Sequence, residues 1–360
     1  IRRGRGFGDG AAAGGGCAAV RRGRRAEERR WVADLPLFAA VLALAVFGVA
    51  MIYSAGELDV PSAAADAWRR QLVWLGVALA AYAAVVRVPL RWLEWAAPAL
   101  YGTALLLLLL VLVWPAGSGP RSWIRFGAVG LQPSEFAKVA TVLLLARIAA
   151  GRKRPPENLW EMWPECVAVA VPAALVMLQP DLGTATIFGV LFLAALVWSG
   201  LPWPLVVLAI TPFLSLALSF HAAAWGAFFV GLVFFVLRVR PLLSEMLAVL
   251  AANVAMGVAV VPLWHRLAPY QRARILAFLQ PEADPQGAGW HLIQSRVAIG
   301  SGGWFGKGFG AGTQKRLAFL PEQHTDFIFS VVGEELGFLG AAAVVLAFAF
   351  VLWRALGIAE

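Results

Sequence analysis

The chain has 360 residues, of which 61% are hydrophobic and only 14% are charged, and its mean hydropathy is +0.75. Soluble domains carry about 25% charged residues, so this composition excludes an ordinary soluble protein. The formal net charge of +9 does not indicate a nucleic-acid-binding protein, because the basic residues lie in short loops between apolar runs. The two cysteines, Cys17 and Cys166, form no metal-binding or redox motif. A membrane protein is therefore predicted, with membrane lipids and not nucleic acid around it.

Residues 1–30 are rich in glycine, alanine and arginine, and a basic disordered arm is predicted there. Residues 31–360 are predicted to form one transmembrane domain. Because lipid cannot satisfy backbone polar groups, long apolar runs must be helices. The runs lie near residues 34–54, 68–87, 93–114, 132–150, 163–179, 182–199, 203–220, 222–238, 242–263 and 326–353. The predicted fold is all-α: a polytopic membrane protein with about ten transmembrane helices and one large extracytoplasmic loop near residues 264–325.

The short basic loops predict the orientation of these helices. If the arm is cytoplasmic, alternation places the other strongly basic short loops on the same side, namely Arg87 with Arg91, Arg152 to Arg154, Arg238 with Arg240, and Arg354. The large loop then lies outside although it is basic, which is allowed because loops near 60 residues escape the positive-inside rule. An anionic ligand at the outer face would account for its charge. The predicted location is a multi-pass protein of the cytoplasmic membrane with a cytoplasmic N-terminus.

Two shorter segments on the predicted outer side carry polar residues into helices. Pro133 suits the first turn of a helix, where Ser134 and Glu135 can satisfy free amides. Glu135 and Lys138 are three residues apart and are expected to pair, either as a capped helix with a tolerable ion pair or as part of a site. Asp181, between Gln179 and Thr184, is equally consistent with a helix cap and with a site residue.

The large loop is dense in turn-forming residues and glycines. Taken alone, Asp284 before Pro285 predicts a turn. The glycines from 300 to 312 do not form a phosphate loop, because the GxxxxGK[ST] spacing is not met. What they do predict is a surface of backbone amides, beside Lys307 and other cations, that can hold phosphate oxygens. For His291 and His324, roles as ligands or bases stay open, but without metal spacing a hydrogen-bonded structural role is favoured.

Several ordered motifs together resemble the SEDS family (shape, elongation, division, sporulation) of bacterial cell-wall proteins. The motifs are Trp123-Ile, the QPSEFAK of residues 132–138, the QPDLGT of 179–184, the DPxGAGWH of 284–291, the IGSGG of 299–303, the FLPEQHTDFIF of 319–329 and the EELG of 334–337. The resemblance spans about residues 34–353 and is closest to elongation-type members. It is a combination of long motifs in a fixed order, which makes it specific.

The resemblance implies a peptidoglycan glycosyltransferase that polymerises lipid II at the outer face of the bacterial inner membrane during cell elongation. It also implies a class B penicillin-binding protein as partner within an elongation complex. The family's essential aspartate corresponds to Asp284, the expected general base. Trp123, Glu135 and Lys138 match other important family positions, and Asp181, His324, Asp326 and Glu334 fall within its motifs.

The chemistry of the reaction assigns hypothetical roles to the cations. Transfer from an undecaprenyl diphosphate needs a base for the attacking sugar hydroxyl and positive charge for the departing diphosphate. Asp284 is the hypothetical base, and Trp123 packs against sugar or isoprenoid. The diphosphate ligands are drawn from Lys138, Lys307, Arg272, Arg274, Lys315 and Arg316. No cofactor or resident metal is predicted, and a divalent cation at the diphosphate stays an open question.

Three alternatives accompany this prediction: a lipid II flippase or carrier, the division paralogue with the same chemistry, and a scaffold for the crosslinking partner. Two features depart from the family pattern. Three apolar runs lie between Gly200 and Trp264 where many relatives need one, and members normally continue beyond the position of Glu360 with two further helices. The chain is therefore expected to be C-terminally truncated.

Overall fold

The computed structural model describes residues 34–57, 65–113, 122–126, 129–267, 269, 271–273, 276, 289–312 and 325–359. Their elements in chain order are α1 (Leu35–Gly56), α2 (Ala67–Val85), α3 (Leu90–Val113), β1 (Ile124–Phe126), β2 (Val129–Leu131), α4 (Pro133–Ala150), a 3-10 turn (Leu159–Met162), α5 (Trp163–Leu178), α6 (Leu182–Trp198), α7 (Trp203–Leu218), α8 (Ala222–Val239), α9 (Leu243–Arg266), α10 (Trp290–Ser301) and α11 (Ile328–Ala359). They belong to two compact units. The first comprises described residues of 1–87 and 268–360, and the second those of 88–267.

The all-α prediction is confirmed, and each of the ten predicted runs contains a helix. Within the described residues, six helical stretches are long and apolar enough to cross a membrane, and two shorter apolar helices, α6 and α7, have 17 and 16 residues. Only 6–33% of the residues in the best windows of the six are buried. Apolar side chains therefore cover the outside of the helices, as lipid requires. The protein is a polytopic membrane protein.

In the first unit, α1 and α11 pack together and are joined at both ends. Met51 and Ala55 of α1 are buried against Val331 and Val332 of α11. At the start of α1, the Asp34 carboxylate caps the helix by accepting a hydrogen bond from the Leu37 amide at 3.0 Å. The same carboxylate binds the Arg354 guanidinium at 2.6 Å, and this hydrogen bond lowers the pKa of Asp34 below its usual value.

The second unit contains two apolar cores. Leu108, Ala140, Val176 and Phe188 represent the core formed by α3 to α6. The other core joins α5 and α6 to the bundle of α7, α8 and α9.

Polar groups also join α7, α8 and α9. The buried Asn253 amide donates to the Thr211 hydroxyl at 2.9 Å, the Ser215 hydroxyl donates to the Asn253 carbonyl at 2.8 Å, and the Trp225 indole donates to Ser215 at 2.7 Å. Hydrogen bonds of this kind associate helices in lipid, where burial of apolar surface provides no driving force between them. The three apolar runs between Gly200 and Trp264 are thus held to one another by polar contacts.

The two ends of α4 lie at opposite ends of the second unit. At one end, Gln132 approaches Asp181 at the start of α6. At the other end, Arg152 binds Glu165 near the start of α5 through two of its nitrogens, at 3.1 and 2.7 Å. Glu165 is only 1% exposed, so the arginine supplies an ion-pair partner to a buried carboxylate.

Candidate functional site

The structure describes eight of the predicted site residues. Trp123, Glu135, Lys138 and Asp181 belong to the second unit, and Arg272, Lys307, Asp326 and Glu334 to the first. Five others lie outside the described residues: Asp284, Arg274, Lys315, Arg316 and His324.

Trp123 directly precedes a two-stranded antiparallel hairpin in which Ile124 pairs with Leu131. Its ring lies against Gly130, where an added Cβ would be 2.9 Å from the ring atom Cε3. The absence of a side chain at Gly130 therefore allows this position of the indole. Trp123 is 37% exposed, so part of the ring is accessible to a sugar or an isoprenoid chain.

The predicted pairing at the start of α4 is confirmed. The Lys138 ammonium lies 2.8 Å from the Glu135 carboxylate, with the lysine side chain 20% exposed and the glutamate 59%. The expected capping by Ser134 is not observed, because its buried hydroxyl has no hydrogen-bond partner among the described residues. Lys138 thus brings a cation to the same end of the unit as Trp123, with its charge partly balanced.

Asp181 is both a helix cap and a link between two of the sequence motifs. Its carboxylate accepts hydrogen bonds from the Thr184 amide at 3.0 Å and the Thr184 hydroxyl at 2.8 Å, which confirms the cap. It also accepts from the Gln132 amide at 3.3 Å. The QPSEFAK and QPDLGT motifs therefore meet through Gln132 and Asp181, although 49 residues separate them.

The cap predicts a measurable loss of stability. Replacing Asp181 with alanine is expected to lower the free energy of unfolding by about 1 kcal/mol, because the Thr184 amide loses its acceptor. Asp181→Ser keeps an acceptor for that amide and should recover most of the loss. Chemical unfolding of both variants in one detergent measures the difference, and an alanine variant as stable as the parent would show that the cap contributes nothing.

In the first unit, the glycine-rich segment packs on the start of α11. The amides of Lys307 and Gly308 donate to the carbonyls of Glu334 and Glu335 at 3.0 and 2.9 Å. These two amides are therefore not available to phosphate oxygens, and the sequence-based expectation for them is wrong. The carbonyls are accessible because α11 is interrupted at Gly337, which has φ 66° and ψ −164°.

The glycines permit this close approach of two backbones. A Cβ on Gly306 would overlap the Glu335 carbonyl, and one on Gly302 would overlap the Gly333 carbonyl. Beyond the break, the Phe338 amide donates to Gly303 at 2.8 Å. The segment is thus attached on both sides of Gly337.

Two buried glutamates lie directly beneath this segment. The Glu334 carboxylate binds the Lys307 ammonium at 2.7 Å, and the Glu335 carboxylate accepts from the Ser54 hydroxyl of α1 at 2.7 Å. Glu334 is 1% exposed and Glu335 0%. A Cβ on Gly312 would lie 2.9 Å from one carboxylate and 3.3 Å from the other, so this glycine is in contact with both.

The remaining described candidates have less defined surroundings. Asp326 is exposed just before α11, and Arg272 is half-buried. His291 lies in the first turn of α10 with its ring 6.1 Å from that of Phe327. Among the described residues, no three His, Cys, Asp or Glu side chains form a metal-binding group.

Sequence reasoning missed Glu335, Ser54 and Gln132 as members of these clusters. The adjacent acids 334 and 335 in an apolar run were a visible signal, because charges within a membrane are costly and tend to be functional. No signal identified Ser54, which is 281 residues from Glu335.

Nearly the whole chain is similar to known proteins of one family. The FtsW/RodA/SpoVE family model, described as a cell cycle protein, matches residues 35–228 and 222–360. The peptidoglycan glycosyltransferase MrdB of Escherichia coli K12 is 34% identical over 327 residues, covering 91% of this chain and 75% of MrdB. The probable peptidoglycan glycosyltransferase FtsW of Trichlorobacter lovleyi is 35% identical over 335 residues, covering 91% and 76%.

A solved structure supports the same relationship. A chain of a peptidoglycan synthase complex, studied for its coordination of polymerization and crosslinking, is 27% identical and superposes with a TM-score of 0.57, covering 90% of this chain and 77% of that one. The two ranges matched by the family model overlap at residues 222–228, within α8. This is the region where the sequence has additional apolar runs. The chain belongs to the FtsW/RodA/SpoVE family, which is the SEDS family.

Proposed function

We propose that this protein is a peptidoglycan glycosyltransferase that polymerises lipid II at the outer face of the bacterial inner membrane. The observation that carries the proposal is the 34% identity to a peptidoglycan glycosyltransferase over 91% of the chain. The second unit supports it, because it carries the partly exposed indole of Trp123, the cation of Lys138 and the contact between Gln132 and Asp181 that joins two family motifs. The N-terminus is cytoplasmic in this proposal.

The proposed reaction needs a base and positive charge near the diphosphate. Asp284 accepts the proton of the attacking sugar hydroxyl, which is the role of a general base. The departing diphosphate is stabilised by positive charge from Lys138 and from some of Arg272, Arg274, Lys315 and Arg316. Lys307 joins them only if a phosphate oxygen replaces the Glu334 carboxylate that binds its ammonium in the structure. No proton donor is required at the leaving group, since a diphosphate is already a weak base.

The biological setting is proposed from sequence motifs and from the related complex. Gly306-Lys-Gly308 and Gly312-Thr-Gln314 favour an elongation role over the division role of an FtsW-type relative. A class B penicillin-binding protein is the proposed partner, because the related synthase complex couples polymerization with crosslinking. Such a partner would crosslink the strands that this chain makes.

The proposal is tested by incubating the purified chain with lipid II in detergent, with and without a class B penicillin-binding protein, and separating the products by gel electrophoresis. We expect glycan strands longer than the disaccharide. In detergent there is no membrane for lipid II to cross, so a protein that only carries lipid II would make no glycan polymer. If the chain moves lipid II across liposomes but makes no polymer under either condition, the carrier function replaces the proposed one.

A further inference from the structure

An apolar groove of about 280 Å³ lies in the second unit, at the end opposite to Trp123 and Asp181. Ala146 and Ala149 of α4 and Ala194 and Ala195 of α6 contribute to its walls, and Trp198 lies at one end. The groove exists because alanines occupy these positions in two neighbouring helices. Its lining is apolar apart from Glu165, and its volume is close to the lower limit of about 300–1,000 Å³ for ligand pockets.

A basic cavity of about 240 Å³ continues from this groove. Ala149 and Trp198 line both cavities, so the two are adjacent. The second is lined by three consecutive cations, Arg152, Lys153 and Arg154, and by Ser199. An apolar groove therefore opens next to a cationic one.

The three cations differ in how far they are neutralised. Arg152 is bound to Glu165, and Arg154 to Glu157 at 2.6 Å and Glu161 at 3.4 Å. Lys153 is exposed and has no carboxylate within ion-pair distance among the described residues. The three glutamates balance the three cations in number, but Arg154 binds two of them, so the ammonium of Lys153 is left for a ligand at the basic cavity.

We propose that these two cavities bind one anionic phospholipid, with an acyl chain in the apolar groove and the phosphate at Lys153. A phospholipid combines an apolar chain with a phosphate over the short distance that separates the two cavities, and basic pockets between transmembrane helices bind such headgroups. In the proposed orientation this end is cytoplasmic, where anionic lipids and juxtamembrane cations attract each other. The site lies at the end of the second unit opposite to Trp123 and Asp181 and does not depend on the glycosyltransferase assignment.

The test measures lipid binding to the purified full chain in detergent by native mass spectrometry, with phosphatidylglycerol and phosphatidylcholine of equal chain length. We expect phosphatidylglycerol to bind more tightly. Lys153→Ala should weaken its binding about fivefold, because one cation near the headgroup is removed. Arg238→Ala is the matched control, since Arg238 is also an exposed cation of the same unit, in the last turn of α8, and lines neither cavity.

A second pair of variants tests the groove. Ala194→Phe places a ring in the groove from an exposed position and should weaken phosphatidylglycerol binding about tenfold. Ala227→Phe on α8, also at an exposed alanine, should leave binding unchanged. Melting temperatures without lipid establish that each variant is folded.

Three results would overturn the proposal. Equal affinity for the two lipids would show that lipid packs non-specifically around the transmembrane helices and that no headgroup site exists. Unchanged binding in both Lys153→Ala and Ala194→Phe would place the lipid elsewhere. If inorganic phosphate raised the melting temperature as much as phosphatidylglycerol does, the site would bind an anion without an acyl chain.

Discussion

Lipid II polymerisation is expected to fall about 100- to 10,000-fold when Asp284 is replaced by asparagine, the range that general-base catalysis contributes. Asparagine keeps the size of the side chain but cannot accept the proton of the sugar hydroxyl. The measurement is the initial rate of glycan formation from purified lipid II with the class B partner present. Glu282→Gln provides the matched control, because it neutralises another acid two residues away in the same segment.

The two variants separate catalysis from local charge. A rate that falls in Asp284→Asn but not in Glu282→Gln supports the proposed base. Equal losses in both variants would attribute the effect to the charge of the segment. Full activity in a folded Asp284→Asn protein would leave Asp284 as a turn residue before Pro285 and would remove the base from the proposed mechanism.

Gly306→Ala is expected to lower the free energy of unfolding by about 3 kcal/mol, a large effect for a single methyl group. Gly306 has φ +77°, which is unfavourable for alanine, and its Cβ would overlap the backbone of α11 at Glu335. Gly300→Ala is the matched control in the same segment. Gly300 lies in the helix α10 with open space around its Cα, so alanine there should be neutral or stabilise by about 0.5–1 kcal/mol.

Chemical unfolding monitored by tryptophan fluorescence compares these two glycine variants with the parent chain. The expected pattern is a large loss for Gly306→Ala and none for Gly300→Ala. A Gly306→Ala protein that keeps its stability but loses only polymerisation would contradict the packing role and favour a contact between this segment and phosphate.

Local features of the structure were the most predictable from the sequence. The ten runs were found because a membrane helix requires about 20 apolar residues, and the observed bounds differ by a few residues, as for α3 at Leu90–Val113 against 93–114. The Glu135–Lys138 pair and the Asp181 cap were also predictable, since both depend on spacings within one helical turn.

Contacts between distant parts of the chain were not predictable. Nothing in the sequence indicates that Ser54 binds Glu335 or that Gln132 reaches Asp181. The amides of Lys307 and Gly308 were misinterpreted for a related reason. A glycine is equally suitable where an anion approaches the backbone and where another backbone does, and only the hydrogen bonds from Lys307 and Gly308 to α11 distinguish the two.

The short helices α6 and α7 have a consequence for the surrounding bilayer. At 1.5 Å per residue, their 17 and 16 residues span about 26 and 24 Å, whereas the hydrocarbon layer is about 30 Å thick. The helices α3 and α9 of the same unit, with 24 residues each, span about 36 Å. We expect this hydrophobic mismatch to thin the membrane beside α6 and α7, at a cost of a fraction of a kcal/mol per Å. Lipids with shorter acyl chains should therefore gather on this side of the protein.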